Sequence, residues 1–234
     1  MAVAVLAGQL SIGWSNDVID AGRDRAAGRA DKPLAAPDAP IPAARVGIAA
    51  AAIACVPLSL ASGWTAGTAH LVGVAAGWAY NIGLKRTVLS WAPYAVAFGL
   101  LAAFVALGAP GDDRPPWWLL VGAAALGVGA HFANVVPDID DDLRAGVRGL
   151  PQRLGRRRAA AGAASTLLAA TVILVLGPPE APRASALVVG AIAGVCAVGG
   201  ALSSLRTPAR WPFLLVVAVA ALDVGLLIAA SARA

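Results

Sequence analysis

Apolar residues run along this chain in long blocks separated by short polar stretches. The blocks are Met1–Trp14, Ala44–Ser62, Ala66–Leu84, Ser90–Gly108, Trp117–Ala133, Ala159–Gly177, Ala184–Ser203 and Pro212–Ser231. A helix needs about 17–25 residues to cross a hydrocarbon core, so the last seven qualify as spans and the first is too short. Met1–Trp14 therefore reads as the back half of a helix, or as a span that begins outside this chain. Met1–Gln9 has no Lys or Arg, which argues against a signal peptide. The pattern predicts an all-α polytopic membrane protein, a bundle of about eight transmembrane helices. No linker or low-complexity stretch divides it, so residues 1–234 read as one domain.

Composition sharpens that expectation. Of 234 residues, 59% are hydrophobic and 13% charged, against about 25% charged in a soluble domain. If the connections alternate sides, one side receives 15 of the 18 basic residues and the other only Arg114, Arg183 and Arg233. The positive-inside rule makes the first side cytoplasmic, which implies a multi-pass protein of the cell membrane. The net charge of +5 thus belongs to loops near anionic headgroups, and nucleic acid is not the expected partner. Six of the seven Trp fall at span ends, while Trp78 lies inside a run as a candidate for a cavity wall. Cys55 and Cys196 have no metal-type spacing and read as small buried hydrophobes. Gly73/Gly77 and Gly190/Gly194 have the spacing of closely packed membrane helices.

Two polar clusters share one pattern. Asn-x₃-Asp-x₃-Asp occurs as Asn16/Asp20/Asp24 and again as Asn134/Asp138/Asp142, each beside an apolar block and followed by an Arg-rich stretch. On a helix this spacing drifts by only about 40° per step, which puts three oxygen ligands on one face. A single acidic patch at a helix end is ordinarily solvated surface. Two copies on the same side suggest two similar halves closing around one site. Facing each other, they would cage Mg²⁺ against the oxygens of a diphosphate, because Mg²⁺ takes one or two carboxylates plus substrate phosphates. Asp20, Asp24, Asp138 and Asp142 are the expected metal-holding carboxylates, and Asn16 and Asn134 the neutral oxygens. Arg29, Lys32, Lys85 and Arg148 are the cations placed to clamp the phosphates. Tyr80 and His131 are candidates for the cavity wall, although a packed, hydrogen-bonded helix histidine is the plainer reading of His131. His70 reads as structural. Asp223 lies mid-span, where a charge is costly, so it should face the bundle interior.

These residues resemble a known family. Trp14-Ser-Asn16-Asp-Val-Ile-Asp20-Ala-Gly-Arg-Asp24, running on to Lys32-Pro-Leu34, resembles the first Asp-rich motif of the UbiA superfamily of intramembrane prenyltransferases. Lys32 stands where that family usually has Arg. Asn134/Asp138/Asp142 with Gly146-Val-Arg148-Gly-Leu-Pro151 is similar to the second motif, and Tyr80 to Lys85-Arg86 to a third. The resemblance implies nine helices around a cavity open sideways to lipid, and would place the first helix before Met1. It also implies Mg²⁺-dependent transfer of an isoprenyl group from a prenyl diphosphate to an acceptor that the sequence does not identify. An intramembrane terpene cyclase on the same scaffold would share the ionisation step. A transporter would instead use the pseudo-repeat and Asp223, but its site belongs at the bilayer midplane.

Overall fold

The computed structural model describes residues 1–26, 28, 32–109, 114–180, 183–204 and 211–231, without the side chains of 200–204, 211–213, 216, 227 and 229–231. The described residues form nine α-helices. These are α1 (Ala2–Ala26), α2 (Ile41–Leu60), α3 (Trp64–Ile82), α4 (Ala92–Gly108), α5 (Trp117–Val135), the short α6 (Ile139–Arg144), α7 (Leu150–Leu176), α8 (Ala184–Ser204) and α9 (Trp211–Ser231). Helices α1–α4 pack on one another, α5, α7, α8 and α9 do the same, and α4 against α5 joins the two groups. The first group opens with the helix that carries the first Asn/Asp motif, and the second opens with α5, which ends at the second motif's Asn134.

Two expectations change. The first apolar block is not a short piece. Its helix runs through the polar motif to Ala26, giving 25 residues, because no Pro interrupts it before Pro33. The second motif, in contrast, does not lie on one continuous helix. Pro137 has no N–H to donate, and the chain passes from α5 through a 3-10 turn (Val136–Asp138) into α6. Asn134 thus closes α5, while Asp142 belongs to a separate short helix. By length and composition, three described stretches are long and apolar enough to cross a membrane, namely Ile41–Leu60, Trp117–Arg144 and Leu150–Leu176. Ala92–Gly108 and the described parts of α8 and α9 are apolar but shorter. Helix α3 carries Thr65, Thr68, His70, Tyr80 and Asn81 on its length, which lower its hydropathy; of these, His70 and Asn81 are buried.

Small residues allow the close packing. A Cβ on Gly127 of α5 would lie 2.5 Å from the Tyr94 carbonyl oxygen of α4 and 2.8 Å from Phe98 Cβ. On Gly77 it would meet Ile12 of α1 at 2.6 Å. The main core lies between α5, α7, α8 and α9 around Leu126, Phe132, Leu167, Ala193 and Val219. Buried polar groups hold helices to one another. Thr171 Oγ1 of α7 donates to Asp223 Oδ1 of α9 at 2.5 Å, so Asp223 faces the bundle interior. Ser59 Oγ and His70 Nδ1 join α2 to α3 at 2.8 Å, and His70 stacks on Phe104 with ring centroids 4.6 Å apart. Trp78 is bonded rather than placed on a cavity wall, donating Nε1 to Ser11 Oγ at 3.3 Å. Cys55 is buried, Cys196 is half-buried, and both are free.

The tightest of these contacts predicts a mutational cost. Gly127→Ala should destabilise the bundle by about 1–3 kcal/mol, since the added methyl meets a backbone oxygen that cannot rotate away. Thermal unfolding in detergent reads this directly, and an unchanged midpoint would contradict the packing.

Candidate active site

One face of α1 supplies half of a cavity. Gln9, Ile12, Gly13, Asn16, Asp20, Arg23 and Asp24 recur at three- and four-residue steps and all line it; side chains so spaced lie above one another on a helix. Opposite them stand Tyr80 and Asn81 of α3, Lys85 from the following 3-10 turn, and Tyr94 and Phe98 of α4. Asn134, Asp138, Asp142 and Gln152 close the cavity from the α5–α6–α7 segment. Its volume is about 420 Å³. All six Asn/Asp motif residues, together with Lys32, Lys85 and Tyr80, therefore meet in one place. The charged side chains come from Asp20 onward on α1, from Lys32 and Lys85 and from the second motif, while Ile12, Gly13, Gly77, Ala97 and Phe98 add apolar lining, with Gln9 beyond Ile12.

The first motif is the more buried of the two. Asp20 is 3% exposed and Asp24 6%; Asp138 and Asp142 are half-buried and Asn134 is exposed. Lys85 Nζ, itself 5% exposed, donates to both Asp20 carboxylate oxygens at 2.7 Å and to Asn16 Oδ1 at 3.1 Å. Arg23 Nη2 reaches Asp20 at 3.0 Å, and Arg23 Nε stands 3.6 Å from Asp24. Burial pulls the Lys85 ammonium below the ordinary lysine range, and the Asp20 hydrogen bond and charge offset part of that. Asn81 Nδ2 donates to the Ile12 carbonyl at 2.8 Å and to Ser15 Oγ at 2.9 Å, fixing α3 against the motif helix. Arg25 donates to the carbonyls of Ala35 and Ala36 at 3.0 and 2.8 Å, which folds the following segment back. There Lys32 pairs with Asp17 at 3.1 Å and lines the cavity.

The second motif is held from outside by α7. Gly146, at φ +76°, takes a left-handed turn after α6 that residues with a Cβ avoid. Gln152 Nε2 then donates to Asp142 Oδ2 at 2.8 Å. Arg156 donates to the Val136 carbonyl at 3.1 Å and to Asp140 at 2.8 Å, bracing the 3-10 turn.

Three sequence expectations turn out differently, and a fourth falls on a residue that is not described. His131 is 1% exposed and sits behind the wall, with its ring centroid 4.8 Å from that of Tyr94 and 5.6 Å from that of Tyr80. Its Nε2 shares a hydrogen bond with Ser90 Oγ at 3.1 Å. It supports the cavity wall instead of lining it, because α5 turns that face toward α3 and α4. Arg148 is exposed and outside the lining, at the end of the turn that follows Gly146. Arg29 lies outside the described residues. The carboxylates also do not form a closed cage. Among the described residues, no three His, Cys, Asp or Glu side chains are grouped to hold a metal ion unaided. The motifs face each other across open space that a ligand's own oxygens would have to bridge. Arg23, Asn81, Tyr94 and Gln152 were not singled out from sequence. Only Arg23 had a signal there, three residues from Asp20 on the same helix face.

The family model for the UbiA prenyltransferase family matches residues 1–210. The chain belongs to this family. The fold is also that of solved UbiA homologues. A UbiA homologue from Aeropyrum pernix K1 is 21% identical with a TM-score of 0.73, over 98% of this chain and 87% of that one. A UbiA homologue from Archaeoglobus fulgidus, bound to GPP and Mg²⁺, is 18% identical with a TM-score of 0.66, over 99% and 89%. The same homologue bound to DMAPP and Mg²⁺ gives a TM-score of 0.65. No curated protein matches the chain significantly.

The buried pair at the centre of this UbiA site makes a stability prediction. Lys85→Met leaves Asp20 without its closest cation, and stranding a buried charge costs about 3 kcal/mol, the low end because Arg23 still reaches it. Lys85→Met/Asp20→Asn should recover most of that loss. Chemical denaturation of the purified variants checks it, and equal loss in both would contradict a charge origin.

Proposed function

We propose that this UbiA-family protein transfers an isoprenyl group from an allylic prenyl diphosphate to an electron-rich ring or a hydroxyl within the membrane. The observation that carries this reading is the convergence of both Asn/Asp motifs, Lys32 and Lys85 on one cavity with an apolar inner wall. The A. fulgidus homologue structures that hold GPP or DMAPP with Mg²⁺ support the same head-group chemistry here.

The residues fit Mg²⁺. The motif donors are carboxylate and amide oxygens, the set this hard ion takes. Three of those oxygens already surround the Lys85 ammonium within 3.1 Å, so that corner of the cavity is built to hold positive charge. Asp20, Asp24, Asp138 and Asp142 would hold the metal, with Asn16 and Asn134 as neutral oxygens. Bound there, Mg²⁺ neutralises the negative charge that develops on a leaving diphosphate. Lys32 and Lys85 donate to the phosphate oxygens, and Arg23 keeps Asp20 and Asp24 ionised and oriented. The breaking C–O bond leaves its electron pair with the diphosphate. Tyr80, Tyr94 and Phe98 offer aromatic walls that favour the developing allylic cation. Ile12, Gly13, Gly77 and Ala97 hold the hydrocarbon tail and keep water from that cation. The acceptor contributes the electron pair of the new bond and loses a proton. With 15 of 18 basic residues assigned to one side, the site opens to the cytoplasm.

Pyrophosphate release from geranyl, farnesyl and geranylgeranyl diphosphates, assayed with and without Mg²⁺, tests the proposal. Asp20→Asn and Asp138→Asn should each lower release by on the order of 10²–10³, as loss of a group acting on transition-state charge does, with helical content unchanged. Native-level release from either variant would overturn it.

A further inference from the structure

The metal-holding role proposed for Asp142 leaves one neighbour without an assigned purpose. Gln152 is 5% exposed and lines the cavity from the first turn of α7. Its Nε2 donates to Asp142 Oδ2 at 2.8 Å, while its Oε1 is buried and has no hydrogen-bond partner. A buried amide oxygen left unpaired is costly. Gln152 nonetheless keeps its NH₂ on Asp142 and its Oε1 turned toward Gly149, so the contact with the carboxylate is what its placement secures.

The backbone around it is fixed tightly. A Cβ on Gly149, the residue before α7, would lie 2.7 Å from Gln152 Oε1, 2.7 Å from the Lys85 carbonyl oxygen and 2.9 Å from Ser90 Oγ. Glycine is what lets the start of α7 pass so close to the Lys85 turn. The Leu150 N–H donates to Ser90 Oγ at 3.1 Å, and Ser90 in turn bonds His131. Pro151 is fully buried and sets the backbone just before Gln152. The carboxamide thus comes from a rigid helix start, whereas Asp142 sits on the six-residue α6, which Pro137 separates from α5.

We propose that Gln152 is a positioning residue for divalent-cation binding, holding the Asp142 carboxylate in place through its Nε2 donor. The amide orientation follows from the carboxylate beside it: Asp142 only accepts, so the NH₂ faces it and the oxygen faces away. Hydrogen-bond partners of metal-holding carboxylates typically affect metal affinity by 10–100-fold, and that is the effect expected here. This inference rests on the proposed metal role of Asp142.

The test uses the full chain in detergent with Mg²⁺ and inorganic pyrophosphate as probes. The Mg²⁺ concentration giving half of the maximal thermal stabilisation is measured for native protein, Gln152→Met, Gln152→Leu, Asp142→Asn and Gln152→Met/Asp142→Asn. Bound ligand raises the unfolding midpoint in proportion to occupancy, which makes the readout independent of turnover. Gln152→Met should shift the half-point upward by about 10–100-fold. In the release assay it should raise the Mg²⁺ requirement and leave the rate at saturating Mg²⁺ within a few-fold of native. Gln152→Leu, smaller and differently shaped, should give the same shift if only the hydrogen bond matters. Because Gln152 acts through Asp142, the double variant should bind no more weakly than Asp142→Asn alone. An unmoved half-point in both Gln152 variants, or additive losses in the double variant, would overturn the inference while Asp142 keeps its role. An unmoved half-point in Asp142→Asn would overturn the metal reading of Asp142, and the inference with it.

Discussion

An ammonium enclosed by carboxylate and amide oxygens organises the polar end of this bundle. Lys85 reaches Asp20 and Asn16 from the turn after α3, so one contact binds the motif helix to the α3–α4 side of the cavity. Charge in an apolar bundle is tolerated only where other charge or hydrogen bonds meet it. Arg23, Asn81 and Ser15 complete that condition around α1. The same condition keeps the charged groups together and leaves apolar lining beside them. A site that must hold a polyanion and a greasy tail together needs this division, and the fold supplies it without a separate domain.

The remainder of the architecture is a packing solution. Alanine and glycine at the crossings bring helices close enough for backbone contacts, as Gly127 does against Tyr94. Close crossings place Tyr94 and Phe98 where the cavity needs a wall, with His131 packed behind them. Single polar bonds, such as Thr171 to Asp223, pin neighbouring helices inside the second group. Within the UbiA family likeness, α1 with the first motif and α5 running into the second open the two helical groups, and the cavity forms where those groups meet.

Much of this was legible in the sequence, for physical reasons that can be named. Apolar blocks of span length gave the helical bundle, because a backbone in lipid must satisfy its own hydrogen bonds. The Asn-x₃-Asp-x₃-Asp spacing was readable as a helix face, and on α1 it is one. At the second copy it fails, because Pro137 interrupts the helix between Asn134 and Asp142. Arg148 and His131 were misplaced because sequence distance says nothing about which way a turn or helix face points. Gln152 was invisible for the same reason. It meets Asp142 ten residues away through the Gly146 turn, a geometry with no periodic signal.

The central claim is that the two motifs act as one site on one diphosphate. A structure determined with Mg²⁺ and a prenyl thiolodiphosphate, which resists ionisation, tests it most directly. The diphosphate is expected between α1 and the α5–α6 turn, with metal ions touching carboxylates from both motifs and the prenyl chain along Ile12, Ala97 and Phe98. A diphosphate held by one motif alone, or bound away from this cavity, would contradict the account.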